Sequence, residues 1–69
     1  MKTVIVTHKL LARLYEEDFI NPYLNLSAWI RAVYHGEMRL YVGANCDYAI
    51  DFKDEKHYTY FLLIFHDYI

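Results

Sequence analysis

The stretch HYTYFLLIFH, residues 57–66, decides how the rest of the chain must fold. Between its two histidines every side chain is aromatic, aliphatic or threonine, and both alternate sets are apolar. Because neighbouring side chains of a β-strand point to opposite faces, a strand of this composition needs cover on both sides. The run is too short to cross a bilayer as a helix, which takes about 20 apolar residues. We therefore predict a β-strand over 57–66 that lies centrally in a sheet.

Length and composition indicate one small domain over residues 1–69. A chain of this length buries only about 60% of its unfolded surface, so it needs a disulfide, a metal, a dense core or association to be stable. Cys46 is the one cysteine, and the four histidines show no metal-ligand spacing, so we expect no disulfide, metal or cofactor. With 57% hydrophobic residues, we expect a homodimer.

The net charge of −2 bears on partners and location. Nucleic-acid binders usually carry a clustered basic excess that neutralises phosphates, and this excess is missing, so a nucleic-acid partner is disfavoured. The sequence has neither a signal segment nor a membrane span, and it has a single thiol. We expect a cytoplasmic protein without membrane association.

The first third of the chain predicts a strand and a helix. Residues 1–6 are rich in β-branched side chains, and Thr7 can cap a helix over 8–18 whose buried stripe includes Leu10, Leu11 and Leu14. The acidic residues Glu16, Glu17 and Asp18 would fall in its last turn, where the helix dipole disfavours anions. Either the helix ends before these three residues, or they form an acidic contact site.

A second helix is predicted to begin between Pro22 and Ser27, because Asn21 can cap a helix and Pro22 suits a first helical position. Its buried stripe is Leu26, Trp29, Ile30 and Val33. Gly36 follows His35 where a left-handed residue is expected to end the helix.

Residues 37–42 and 47–52 alternate between apolar and polar side chains and predict a β-hairpin. The two apolar sets share a face only if the loop has an odd length, and Gly43-Ala44-Asn45 provides one, with Asn45 in the left-handed conformation. The predicted pairs are Val42 with Cys46, Leu40 with Tyr48, Met38 with Ile50, Tyr41 with Asp47, Arg39 with Ala49, and Glu37 with Asp51. Arg39 would lie within diagonal reach of both aspartates.

A charged turn over 53–56 completes the order β-α-α-β-β-β. This order predicts a small single-domain α+β fold, with an antiparallel sheet, two helices packed on one face, and the first strand beside the last. The length of the turn decides which row of the last strand faces the helices. An odd loop leaves Phe61, Leu63 and Phe65 outside, and an even loop leaves Tyr58 and Tyr60 outside.

Catalysis is not expected from the available side chains. Cys46 has no neighbouring base and would face the core, while Ser27 lacks a nucleophile-elbow context. Gly36 and Gly43 are the only glycines, so no Gly-rich phosphate loop exists. We therefore expect no catalytic residue and no enzyme.

The favoured hypothesis is a protein-interaction module that acts by stoichiometric binding, as an inhibitor or adaptor does. Its partner would be a protein of unknown identity, together with a second copy of the chain. On size alone, a viral inhibitor encoded by a phage or mobile element belongs to this class. The apolar row Phe61, Leu63 and Phe65 would anchor the interface, with Arg39 and Tyr41 at its rim.

The alternative hypothesis is related to nucleic acids. Single strands could stack on sheet aromatics, namely Tyr41, Tyr58 and Tyr60. Conversely, an acidic mimic of nucleic acid would display Glu16, Glu17, Asp18, Asp47, Asp51, Asp54 and Glu55. Salt dependence separates both from an apolar interface, because phosphate contacts weaken steeply with salt.

Overall fold

The computed structural model describes residues 2–20 and 25–69, and of residues 17–20 it describes the backbone only. Its elements are β1 (Lys2–Thr7), α1 (His8–Ile20), α2 (Leu26–Tyr34), β2 (Glu37–Gly43), β3 (Cys46–Phe52) and α3 (Glu55–Phe65), followed by a 3₁₀ turn over His66–Tyr68. The predicted α+β class with an antiparallel sheet is confirmed. The first five elements follow the predicted order, and the sixth is a helix.

The predicted last strand over 57–66 is wrong, because residues 57–65 lie in α3 and His66 begins the 3₁₀ turn. Asp54, expected in a solvated turn, caps the helix instead: its carboxylate accepts a hydrogen bond from the Lys56 N–H at 2.9 Å. The following Glu55 favours the positive end of the helix dipole. Four apolar residues then recur at helical spacing and turn one face to the core, namely Tyr58, Phe61, Leu62 and Phe65.

The sheet has the strand order β1-β3-β2, and both pairings are antiparallel. β1 was predicted to join the last strand, but it pairs with β3, with Val4 opposite Ile50. Since the stretch expected to lie between these two strands is a helix, β3 takes the central place.

The predicted hairpin register is confirmed from Glu37 to Leu40, which lie opposite Asp51 to Tyr48 in order. Nearer the turn the register shifts, and Gly43 lies opposite Cys46 in place of the predicted Val42. The extra β2 residue forms a bulge and shortens the loop to two residues. Asn45 adopts the predicted left-handed conformation, with φ 60°.

One face of the sheet carries the core and all three helices. The buried cluster joins side chains of β1, β3 and every helix: Val4, Val6, Leu10, Leu14, Leu26, Trp29, Ile30, Tyr34, Ile50, Phe52, Phe61 and Phe65. Phe61 lies at its centre, with ring centroids 5.3 Å from Tyr34, 5.4 Å from Phe52 and 4.7 Å from Phe65. These separations are typical of favourable aromatic pairs. The predicted stripe of α2 holds except at Val33, which is exposed, while Tyr34 is buried.

Helix α1 begins as predicted and ends later. The Thr7 hydroxyl accepts a hydrogen bond from the Leu10 N–H at 3.3 Å, as a cap does. The helix continues to Ile20, so the expectation that it ends before its three acidic residues is wrong. Glu16 is exposed, 3.8 Å from the Arg13 guanidinium. The side chains of Glu17 and Asp18, like Met1 and the pair Asn21-Pro22, lie outside the described residues.

Helix α2 is capped by a side chain at its first end and by a backbone hydrogen bond at its last. The Asn25 side chain accepts a hydrogen bond from the Ala28 N–H at 2.8 Å. At the other end, the left-handed residue is His35 and not the predicted Gly36. The His35 ring stacks on that of His57, with centroids 4.4 Å apart. This contact joins the end of α2 to the first turns of α3.

Gly36 is required because there is no room for a side chain at this position, and not because of its backbone conformation. A Cβ atom at this position would meet the Ile50 Cγ2 atom at 2.5 Å and the Phe52 ring at 2.8 Å. Both neighbours are fully buried, so neither side chain has room to move aside.

We expect Gly36→Ala to lower the free energy of unfolding by about 1–3 kcal/mol, the usual cost of overpacking a core. Chemical denaturation monitored by circular dichroism measures it. Gly43→Ala is the matched control, because Gly43 also lacks a positive φ and its nearest obstacle, the Cys46 Sγ atom, lies farther away at 3.0 Å. Equal costs at the two glycines would contradict the steric explanation.

Candidate interaction surface

Strand β2 forms one edge of the sheet. In the described part of the chain it is hydrogen-bonded to β3 on one side and to no strand on the other. Such an edge presents unpaired backbone N–H and C=O groups that another strand can bind. It is also apolar: Leu40 is 72% exposed, Tyr41 41% and Val42 82%. We call Leu40, Tyr41 and Val42 the edge segment.

The edge segment is exposed because the helices cover only the first part of β2. Met38 packs against the core and is partly buried, whereas Leu40, two residues farther on the same face, is not covered. Between the helices and the hairpin lies an open cleft of about 190 Å³, lined by Tyr15, Asn25, Leu26, Ser27, Met38 and Tyr48. The cover therefore ends within β2, next to the edge segment.

The opposite face of the sheet carries a polar network that ties the three strands together. The Asp51 carboxylate in β3 accepts hydrogen bonds from the Arg39 Nε–H at 2.7 Å and from the Thr3 hydroxyl at 2.6 Å. Arg39 can reach Asp51 because the residue opposite it, Ala49, is small. Of the two predicted aspartate partners, Asp47 contacts His8 instead, at 3.4 Å.

This network shifts the pKa values of its two charged members apart. The hydrogen bond from Arg39, followed by the one from Thr3, lowers the pKa of Asp51 below its usual value. The same hydrogen bond and charge raise the pKa of Arg39. Both groups are therefore ionised at neutral pH.

The charges of β2 are compensated within the chain. Glu37, its only acidic residue, accepts a hydrogen bond from the Arg31 guanidinium at 3.0 Å. Arg39, its only basic residue, binds Asp51 and lies 5.7 Å from the centre of the Tyr41 ring. The edge segment itself is uncharged. A strand that approaches this edge consequently meets no uncompensated charge.

The predicted interaction residues separate into two groups. Arg39 and Tyr41 contact each other on β2, as expected for neighbours in one surface. Phe61 and Phe65 do not lie at any surface: α3 turns them inward, and they are 0% and 1% exposed, so their prediction as anchors is wrong. Leu63 is 69% exposed but lies on a helix, across the sheet from Arg39.

Sequence reasoning missed Leu40 and Val42. Both were assigned to an apolar face that the helices were expected to cover. No local pattern distinguishes them from the buried residues of the equally long β3, because burial depends on how far the helices extend over the sheet.

The features proposed for nucleic-acid binding are dispersed in the structure. Tyr58 and Tyr60 lie on α3, where they pack near Phe52 and Tyr34, so they share no sheet face with Tyr41. The acidic residues with described contacts serve the chain itself: Asp51 binds Arg39, Asp47 contacts His8 and Asp54 caps α3.

Among residues 2–20 and 25–69, no group of three or more His, Cys, Asp and Glu side chains is placed to hold a metal ion. No helix in the same ranges is long and apolar enough to cross a membrane. Cys46 is buried.

Comparison of the chain with protein-family models, with curated proteins and with solved structures gave no significant match. The geometry of β2 is therefore the main indication of what the protein does.

We expect Asp51→Asn to destabilise the protein in a pH-dependent manner. Because folding lowers the pKa of Asp51, its contribution is complete above the ordinary aspartate pKa and is lost as the pH falls through the lowered value. The thermal midpoint of the variant should therefore lie below that of the wild type at about pH 7, and the two should converge as the pH falls below the lowered pKa of Asp51.

Thermal unfolding followed by circular dichroism over a pH series measures this difference. Asp67→Asn is the matched control, since that carboxylate is highly exposed and contacts only the adjacent His66 among the described ion pairs. A difference between wild type and Asp51→Asn that grows as the pH falls would contradict the assignment.

Proposed function

We propose that the protein is a non-enzymatic interaction module that binds another protein stoichiometrically through the free edge of β2. The observation that carries this proposal is the exposure of Leu40 and Val42 on an edge strand, one side of which pairs with no described strand. Monomeric proteins usually protect such edges with charges, proline, bulges or covering segments, and of these β2 has the bulge between Leu40 and Gly43. Here three consecutive residues of the edge are apolar and uncharged.

The mode of binding is strand addition. A partner strand that pairs with β2 forms backbone hydrogen bonds with its free N–H and C=O groups, which provide affinity with little dependence on sequence. Specificity then comes from the side chains, with Leu40 and Val42 as apolar anchors. Arg39 and Tyr41, the predicted rim residues, lie in the same strand and retain that role.

A helix surface is the weaker candidate for this interaction. Tyr60, Leu63 and Ile64 form an exposed apolar stripe on α3. The backbone of a helix is already hydrogen-bonded within itself, so this stripe offers side-chain contacts alone. β2 offers both kinds of contact, which favours it as the principal interface.

The proposal includes an action of the inhibitor or adaptor type, in which binding itself is the effect and no substrate is transformed. The single free cysteine favours a reducing compartment such as the cytoplasm. An origin in a phage or mobile element is consistent with the size of the chain and is supported by size alone.

Val42→Lys tests the proposed interface, because an edge lysine is a common natural means of preventing strand addition. Val42 is almost fully exposed, so the fold should tolerate the change within about 0.5 kcal/mol. We expect nuclease-treated lysate of the source cells to yield a stoichiometric protein partner with the tagged wild type. The variant should capture it at least about tenfold less, the loss typical of one strong interface residue.

Leu63→Lys is the matched control, since it places the same charge at a similarly exposed leucine of α3. Circular dichroism establishes that both variants are folded. Capture that is abolished by Leu63→Lys and retained by Val42→Lys would transfer the interface to α3 and refute the role of β2. Capture that disappears on nuclease treatment would instead support nucleic-acid binding.

A further inference from the structure

We infer that the strand seated on β2 is the β2 strand of a second copy of this chain, paired antiparallel about a two-fold axis that passes through the edge segment. This inference depends on the proposed function, because it takes the protein that binds the free edge of β2 to be a second copy of this chain. It goes further by naming the partner and the residues that meet.

The first argument is that β2 is complementary to itself. A two-fold axis perpendicular to the sheet keeps each face of one copy continuous with the same face of the other. With Leu40 on the axis, Leu40 meets its own copy and Arg39 lies opposite Tyr41. With Tyr41 on the axis, Tyr41 meets its own copy and Leu40 lies opposite Val42. Both arrangements place the exposed apolar residues against one another.

Neighbouring registers are less favourable. An axis through Arg39 would place this residue opposite its own copy, and like charges directly opposite each other destabilise a sheet. An axis beyond Val42 would leave few pairs, since β2 ends at Gly43 and the turn follows. We therefore place the two-fold axis at Leu40 or Tyr41, where the exposed apolar residues of the two copies meet.

The second argument is electrostatic. Two copies of one chain bring identical charges together, which normally opposes association. In β2 both charged side chains already have partners within the chain, Arg31 for Glu37 and Asp51 for Arg39. The net charge of each copy is only −2. Moreover, an Arg39 guanidinium opposite Tyr41 of the other copy can form the contact that it forms within its own chain, 5.7 Å from the ring centre.

The other edge of the sheet is less suited to this pairing. β1 begins with Lys2, a residue type that protects edges, and two of its six residues are buried. β2 contains neither lysine nor proline, and none of its residues is fully buried. The bulge near its end increases the local twist, so the joined sheets would be strongly twisted across the axis.

The result would be a continuous six-stranded antiparallel sheet with all helices on one side. Each copy contributes three strands, and the two β2 strands lie at the centre. This arrangement removes the exposed edge segment from water and supplies the additional burial that a chain of 69 residues needs.

Disulfide crosslinking and molar mass test the inference together. In a Cys46→Ala background, Leu40→Cys and Tyr41→Cys place one thiol per chain at the proposed axis, and Leu63→Cys and Val33→Cys place it on exposed helix positions as controls. Under mild oxidation, at least one edge cysteine should form a covalent dimer at least about tenfold faster than either control, because pairing raises the local thiol concentration. Light scattering on the wild type should give a mass rising with concentration towards twice 8.4 kDa.

Val42→Lys should return the mass to one chain, while Leu63→Lys should not. A mass of one chain at every concentration, with equal crosslinking at all four positions, would overturn self-pairing. If a different protein were still captured through Val42 in that case, the proposed function would stand with another partner. A dimer that is unaffected by Val42→Lys and crosslinks faster at Leu63 than at Leu40 would overturn the use of β2 by the second copy.

Discussion

The packing of Phe61 against Phe52, Tyr34 and Phe65 is the interaction on which the rest of the structure depends. It joins α3 to both the central strand and α2, and it places the most apolar stretch of the chain over the sheet. Because this stretch serves as cover, the sheet in the described part of the chain has three strands. The core lies on one face, and each outer strand keeps one side that pairs with no described strand.

Much of the fold could be predicted from local patterns. The alternation over 37–42 and 47–52 gave the hairpin register from Glu37 to Leu40, and Thr7 and Asn45 had the expected roles. The stretch 57–66 was misassigned because a short apolar run fits a buried strand and a helix equally well. The deciding signal is Asp54, because a capping residue before Glu55 marks the start of a helix, although the charged stretch 53–56 also fits a turn.

The candidate site was predictable only in part. The alternation on the hairpin predicts Arg39 and Tyr41 as neighbours in one surface, and the structure places them in contact on β2. Leu40 and Val42 look the same in sequence as the buried Ile50 and Phe52, since all four alternate with polar neighbours. Burial depends on how far the helices extend over the sheet, which is a property of tertiary packing. The same limitation turned Phe61 and Phe65 from predicted anchors into core residues.

The Thr3, Asp51 and Arg39 network has a mechanical consequence. These three side chains cross the sheet from β1 through β3 to β2, beside the backbone hydrogen bonds. A partner that pulls along β2 loads the hydrogen bonds to β3 in shear, so that many must break at once. The Arg39 guanidinium and the Asp51 carboxylate pass part of that load to β1. The strand that is most exposed is thus also fastened by side chains to the strands behind it.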